Sequence, residues 1–386
     1  MKNAVYFQSG GPTSVINSSF YGVIKAYQES EGIDTLYGAR FGLQGLIEDQ
    51  LIEISKGKDY SALLKIPGAI LGSARLRLND FNDPNYAKVL EVLKKHSIRY
   101  IFVNGGNDAM DTGEKLSRYL KEHDYPCNVV GVCKTIDNDL MGNDFSPGFA
   151  SAVSYIVKST MEIALDLKAY KKGRVTIIET MGRDAGWLAA SSYLANKYNL
   201  GPDLIYVPEC AFNINEFLED VERIYKEKGK VLVIVSEALK DACGLYLFAD
   251  KDNLDSFGHI QLGSISMKLC DLVKRELKIN TRYIEYNLMQ RCAAHLQNPK
   301  DVTWAYNCGY KAVEYALNGL EGVVSLVKKD DVEYLLTPLN QVANNIRHMP
   351  RSYMNERGNY VSEEAKEYFS LFIDPTLEIE IPEDFK

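Results

Sequence analysis

Short, continuous apolar runs alternate with longer amphipathic stretches along this chain. Residues 4–7, 100–104, 127–132, 175–179, 204–207 and 231–236 have the length and apolar character of strands buried on both faces. Between them, Ile16, Phe20, Val23, Ile24 and Tyr27 recur at helical spacing, with Ser14 placed to cap the helix. Residues from about 108 to 120 and from 148 to 168 read as further helices. Strands alternating with helices predict an α/β protein with largely parallel, doubly wound sheets. The long segment 148–168 is the natural crossing into a second lobe, with a return to the first from about Arg291.

Polar motifs fall where the predicted strands end, which is where open parallel sheets place their ligands. Gln8-Ser9-Gly10-Gly11-Pro12-Thr13 joins a strand to a helix, and glycines there let backbone amides approach an anion. A tight turn alone needs the same residues. Gly105-Gly106-Asn107-Asp108-Ala109-Met110-Asp111 repeats the arrangement at a second strand end. After a third strand comes Cys133-Lys134-Thr135-Ile136-Asp137-Asn138-Asp139, where a lysine, a threonine and two aspartates offer a base for a hydroxyl and a cation for a phosphoryl group. Three such loops at one sheet edge point to a polyanion bound with a metal ion. Leu71-Gly72-Ser73-Ala74-Arg75 and Met181-Gly182-Arg183 add arginines on loops, and arginine's planar fork suits phosphate oxygens.

These motifs, with Glu237 in Val235-Ser236-Glu237 and the pair Arg282 and Arg291, resemble the phosphofructokinases from Ser9 to about Val323. The resemblance implies two Rossmann-like lobes with mainly parallel sheets and flanking helices, and an active site in the cleft between them. Residues 1–148 plus about 290–345 would form the phosphoryl-donor lobe and 149–289 the sugar-phosphate lobe. About 346–386 would be a C-terminal extension.

The implied chemistry is phosphoryl transfer to the 1-hydroxyl of fructose 6-phosphate. Asp137 would accept the hydroxyl proton, Thr135 would orient that step, and Arg183 would span the transferring group. Gly11, Arg75, Gly106, Asp108 and Lys134 would hold the donor. Thr135, Ile136, Met181, Gly182 and Glu237 would hold the sugar. Arg174, Arg282, Leu288 and Arg291 would sit at its phosphate, with Arg174 and Arg282 reaching in from a neighbouring subunit. A homodimer or homotetramer with shared sites is therefore expected. Mg2+ would be held at Asn107 and Asp139.

Two positions bear on the donor. Family members that use ATP typically have Gly-Gly-Asp-Gly and a glycine before Thr-Ile-Asp, whereas this chain has Asp108 and Lys134. A carboxylate at Asp108 meets the place of a nucleotide's α-phosphate, where like charges ~4 Å apart repel by up to ~4 kcal/mol in a partly screened site. Inorganic pyrophosphate ends before that point, and Lys134 stabilises its leaving phosphate. The blander possibility is that Asp108 caps a helix and Lys134 faces solvent.

Two residues depart from the family pattern. Asn107 stands where an aspartate usually binds magnesium, and Leu288 where a histidine or tyrosine usually meets the sugar phosphate. An ATP-dependent kinase and a catalytically silent sugar-phosphate binder are the alternatives. Retention of Asp137, Lys134 and Arg183 counts against the silent binder. A nicotinamide dehydrogenase lacks its Gly-x-Gly-x-x-Gly fingerprint here.

Composition narrows the classes further. A net charge of −8 argues against nucleic acid and anionic membranes as partners. No apolar run approaches the roughly 20 residues that span a bilayer. The seven cysteines lack Cys-x-x-Cys spacing and read as reduced thiols. With no apolar signal core at the N-terminus, a cytoplasmic location is expected.

Overall fold

The structure is a computed structural model that describes residues 2–248, 250–254, 260–261 and 263–382. It divides into two compact units, Met1–Phe149 with Arg291–Arg347, and Ala150–Gln290 with His348–Lys386. The helix Phe149–Lys168 carries the chain out of the first unit, and the C-terminal stretch from His348 is counted with the second. Both units are mixed α/β with mainly parallel sheets and flanking helices, as the alternation of apolar runs predicts.

In the first unit the strands are β1 (Asn3–Gln8), β2 (Leu36–Ala39), β3 (Leu51–Ile54), β4 (Ile98–Gly105) and β5 (Asn128–Cys133). In the second they are β6 (Val175–Thr180), β7 (Leu204–Tyr206), β8 (Val231–Ser236), the antiparallel pair β9 (Asp250–Leu254) and β10 (Ile260–Gln261), and β11 (Thr281–Glu285). The chain then adds β12 (Gly322–Lys328) and β13 (Val332–Thr337) to the first unit.

The first unit's sheet has the order β13-β12-β5-β4-β1-β2-β3. Its five inner strands run parallel, while β3 and β13 close the edges antiparallel. β1 is buried along its whole length, as is all of β4 but Arg99, so both read as unbroken apolar runs. The edge strand β3 exposes Ile52 and Glu53, and its short mixed pattern hid it from a search for apolar runs.

The first helix, Ile16–Glu29, turns Ile16, Phe20, Val23, Ile24 and Tyr27 inward. Its cap differs from the expectation. Val15 is the N-cap and makes no side-chain bond, and Ser14 lies one residue too early. Ser14 is instead buried, and its carbonyl accepts from Gln297 Nε2 at 2.7 Å. This helix packs against Pro299–Leu317 almost backbone to backbone. A Cβ on Gly22 would run into the Tyr306 carbonyl oxygen, and one on Gly309 into that of Ser19.

The second unit's main sheet, β11-β6-β8-β7, is parallel throughout. Val175, Ile177, Val233 and Val235 pack one of its faces against Phe217, Val221, Leu269 and Val273 from the helices Ile214–Lys228 and Ile265–Leu277. Among the described residues, no helix is long and apolar enough to cross a membrane.

Replacing Gly22 by alanine forces the two helices apart along their closest line. Gly22→Ala is expected to cost about 2 kcal/mol, read as a lower thermal unfolding midpoint. Ala26→Gly on the same helix serves as a comparison that creates no clash.

Candidate active site

In the first unit the three polar loops follow β1, β4 and β5, which are neighbours in the sheet. The sheet's hydrogen bonding continues past the strand ends, with Ser9 N donating to Asn104 O at 2.8 Å and Lys134 N to Gly105 O at 3.0 Å. Gly10 takes a φ of 75°, in the left-handed region that favours glycine.

Lys134 does not face solvent. Its side chain turns inward, and Nζ donates to Ser9 O at 3.1 Å and Gly11 O at 2.7 Å. Only 3% of the residue is exposed. Burial, with the positive charge of Arg291, pulls its pKa down to about 8, while Asp137, Asp139 and Asp108 oppose the fall. Arg291 lies against the same loop, its Nη1 2.5 Å from where a Cβ on Gly11 would stand. Arg291 is counted with the first unit, and Arg174 and Arg282 with the second.

Asp108 lies in the first turn of the helix Asn107–Glu122, whose N-terminus favours a carboxylate. The N-cap is Gly106, which makes no side-chain bond. Asn107, beside it, donates Nδ2–H to Asp139 Oδ2 at 3.1 Å. That leaves the buried Asn107 Oδ1 without a hydrogen-bond partner among the described residues.

The loop from Thr135 to Asp139 is braced from several sides. Thr135 N donates to Pro147 O at 3.2 Å, and Asp137 N to Thr135 Oγ1 at 3.0 Å. Asp301 Oδ1, fully buried, accepts Gly148 N at 2.9 Å. Asn138 has a φ of 60°, and its Oδ1 accepts Ser146 N at 3.0 Å. Ile136 is buried beside them.

The exposed Arg75 is positioned by its own loop. Ser9 pairs with Ala74, and Ser73 Oγ donates to Gly10 O at 2.7 Å. Under that loop lies an amide relay. Gln8 Oε1 accepts Leu71 N at 3.2 Å, and Gln8 Nε2 donates to Asn17 Oδ1 at 2.9 Å, which also accepts Ile70 N at 3.1 Å. Both residues are 0% exposed. The available signal was two amides placed among apolar positions, one ending a buried strand and one on a buried helix face.

The second unit assembles Met181, Gly182, Arg183 and Glu237 at the carboxyl ends of β6 and β8. Gly182 N donates to Glu237 Oε1 at 3.2 Å, Glu237 N to Thr180 O at 2.9 Å, and Ser236 Oγ to Gly182 O at 2.9 Å. Gln290 Oε1 accepts Met181 N at 3.2 Å, and Glu209 accepts Gly186 N with both oxygens, at 2.9 and 3.1 Å. Neither Gln290 nor Glu209 stood out in the sequence, because each acts through a backbone N–H far along the chain. Burial and then Glu179 push the Glu237 carboxyl up to about 7, against Arg183 and the Gly182 N–H, which favour the charged form.

Arg174 and Arg282 are not part of this group. Arg174 precedes β6, and Arg282 lies opposite Thr176 near the start of β11. At ~3.3 Å per residue they stand roughly 20 Å along the sheet from Gly182 and Glu237. Arg174 faces Asp166 at 3.5 Å. Leu288 is 54% exposed.

A doubly wound α/β fold with anion-cradling loops at adjacent strand ends, beside a lysine and aspartates, defines a phosphoryl-transfer class of protein. A phosphofructokinase family profile matches residues 3–316, and the chain belongs to that family. A relative from Xanthomonas campestris pv. campestris, named pyrophosphate--fructose 6-phosphate 1-phosphotransferase, is 38% identical, covering 96% of this chain and 91% of its own length. A sulfofructose kinase from Alkalicoccus urumqiensis is 32% identical over 92% of both chains. The crystal structure of a pyrophosphate-dependent phosphofructokinase from Marinobacter aquaeolei superimposes with a TM-score of 0.85 at 33% identity, covering 97% of this chain and 92% of that one.

The raised Glu237 carboxyl has a consequence for stability. Below pH ~4.5 both folded and unfolded forms hold its proton. As pH climbs towards 7 the unfolded chain loses that proton first, so this group's contribution to stability falls across the window. Glu237→Gln keeps an acceptor for Gly182 N–H and removes the titration. The variant is expected to melt a few degrees above the parent at pH 8 and to show no such advantage at pH 4.

Proposed function

We propose that this chain catalyses the pyrophosphate-dependent, reversible phosphorylation of fructose 6-phosphate to fructose 1,6-bisphosphate, a step of cytoplasmic glycolysis and gluconeogenesis. The observation that carries the donor assignment is the buried Lys134, bonded to Ser9 O and Gly11 O within the electrostatic reach of Asp108. The cation lies under the glycine loop, where it favours a compact polyanion. The Asp108 carboxylate opposes the further phosphate and ribose of a nucleotide. The names and coverage of the relatives support the same reading.

Residues 1–149 and 291–347 serve the donor, and 150–290 the sugar phosphate. Asp137 takes the proton of the acceptor hydroxyl. Thr135 holds the Asp137 backbone in place, Gly11, Gly106 and Arg75 meet the donor, and Arg183 faces the charge that develops on the transferring group. Met181, Gly182 and Glu237 hold the sugar, with Glu237 near neutral pH able to donate as well as accept a hydrogen bond.

Magnesium suits the residues present. Among the described residues no three carboxylates, histidines or cysteines gather to hold a metal. Magnesium needs only one or two carboxylates when substrate phosphates and water complete its shell. The unpartnered Asn107 Oδ1 and the Asp139 carboxylate would hold it, and when bound it supplies neutralisation of phosphate charge.

Arg174 and Arg282, remote from Glu237 in their own unit, serve the site of a second copy in a homo-oligomer. Mixing Arg183→Ala chains with Arg282→Ala chains is then expected to recover turnover that neither has alone. An unchanged sum of the two residual rates would remove the shared-site reading.

The deciding assay measures fructose 1,6-bisphosphate formed with pyrophosphate and with ATP in parallel. Pyrophosphate is expected to be the productive donor, and Asp108→Gly with Lys134→Gly to shift the ratio of rates towards ATP at least about tenfold. Turnover with ATP alone would overturn the donor assignment. Use of 6-deoxy-6-sulfofructose in place of fructose 6-phosphate would overturn the acceptor assignment only.

A further inference from the structure

The loop Asp137–Asp139 has an awkward backbone. Asn138 adopts a φ of 60°, uncommon for a residue with a side chain, and the two carboxylates flank it in sequence. A chain held there needs restraint on both sides. The Asn138 side chain provides one restraint by accepting Ser146 N at 3.0 Å. The other comes from more than two hundred residues downstream. Leu140 pairs antiparallel with Ile346, Arg347 N donates to Asp139 O at 2.7 Å, and Arg347 Nη1 donates to Asn138 O at 3.0 Å.

We propose that Arg347 is a positioning residue for the phosphoryl-transfer reaction, fixing the Asn138 peptide so that Asp137 and Asp139 keep their directions. The proposal rests on the reading of Asp137 as the base. A guanidinium suits the task because its hydrogen bond to a carbonyl is charge-assisted and geometrically rigid. Without it, Asn138 O loses this charge-assisted bond while the bonds from Ser146 N and Arg347 N remain. The loop then persists but turns more freely, and small misplacements of a base lower the rate without removing the substrate-binding groups. The Asn107 contact to Asp139 gives the same looseness a route to the proposed metal position. The next residue along the chain, His348, has its own partner in the second unit, Nδ1 lying 2.9 Å from Asp184 O.

The test compares the full-length parent with Arg347→Ala, Arg347→Lys and Asp137→Asn, measuring kcat, both KM values and the melting midpoint. Arg347→Ala is expected to lower kcat about 10- to 100-fold, with both KM values within about threefold of the parent. Lysine retains a charged donor for the Asn138 carbonyl, so Arg347→Lys should recover most of the loss. Millimolar guanidinium ion should raise the Arg347→Ala rate and leave the parent unchanged. A parent-like kcat in Arg347→Ala, with Asp137→Asn inactive, would overturn the positioning role alone. A loss that tracks a lower melting midpoint and responds to neither lysine nor guanidinium would mark Arg347 as a structural staple and overturn it equally. A parent-like kcat in Asp137→Asn would instead overturn the base assignment beneath it.

Discussion

The Lys134 ammonium joins the end of β5 to the glycine loop after β1, and the geometry of the first unit's loops depends on it. Burying a cation is costly unless it is paired and hydrogen-bonded. Here two main-chain carbonyls accept from it, and three aspartates oppose its loss of charge. The bonds also orient the loop. A trans peptide points its N–H opposite its carbonyl, so the bond to Ser9 O turns the Gly10 N–H away from the lysine. Ser73 Oγ bonds Gly10 O and so turns the Gly11 N–H away from Ser73. Cation and amides are thus set by one arrangement, and any polyanion bound there meets donors whose directions are already fixed.

The second unit uses acidic and amide side chains to hold backbone N–H groups. Glu237, Glu209 and Gln290 each accept from a main-chain N–H in the segment 181–186. These bonds lie in partly buried positions, where an unmet donor is expensive. They do more for the loop than exposed ion pairs such as Lys226–Glu222, which contribute little in water. The same burial that makes Glu237 a good brace raises its carboxyl into the neutral range. Brace and proton-holding group are therefore one residue, and its cost to stability above pH 7 comes from the same burial.

The sequence carried much of the fold because buried parallel strands leave unbroken apolar runs. β1, β4, β5, β6 and β8 were legible for that reason, with ends misjudged by a residue or two where the polar loop continues the strand's hydrogen bonding. β3 and β11 were not, since edge strands with exposed residues lack that signature. Ser14 resembled a cap in sequence, but the chain turns one residue later and its carbonyl meets Gln297. The glycine loops, Lys134 with Asp137, and Met181-Gly182-Arg183 stand out in the sequence because each is a short polar run directly after a buried apolar strand.

Local order along the chain therefore determined which elements form, where the polar loops begin, and which charged and polar residue types those loops carry. The tertiary structure decided which of these meet. It turned Lys134 inward, set Arg291 against Gly11, and placed Arg174 and Arg282 at the far end of their sheet from Glu237. It also brought Asn17 under Gln8, Gln290 to Met181, and Arg347 to Asn138. The physical reason is reach. A hydrogen bond acts over about 3 Å, so two residues far apart in sequence are partners only after the packed sheets and helices have closed the distance between them.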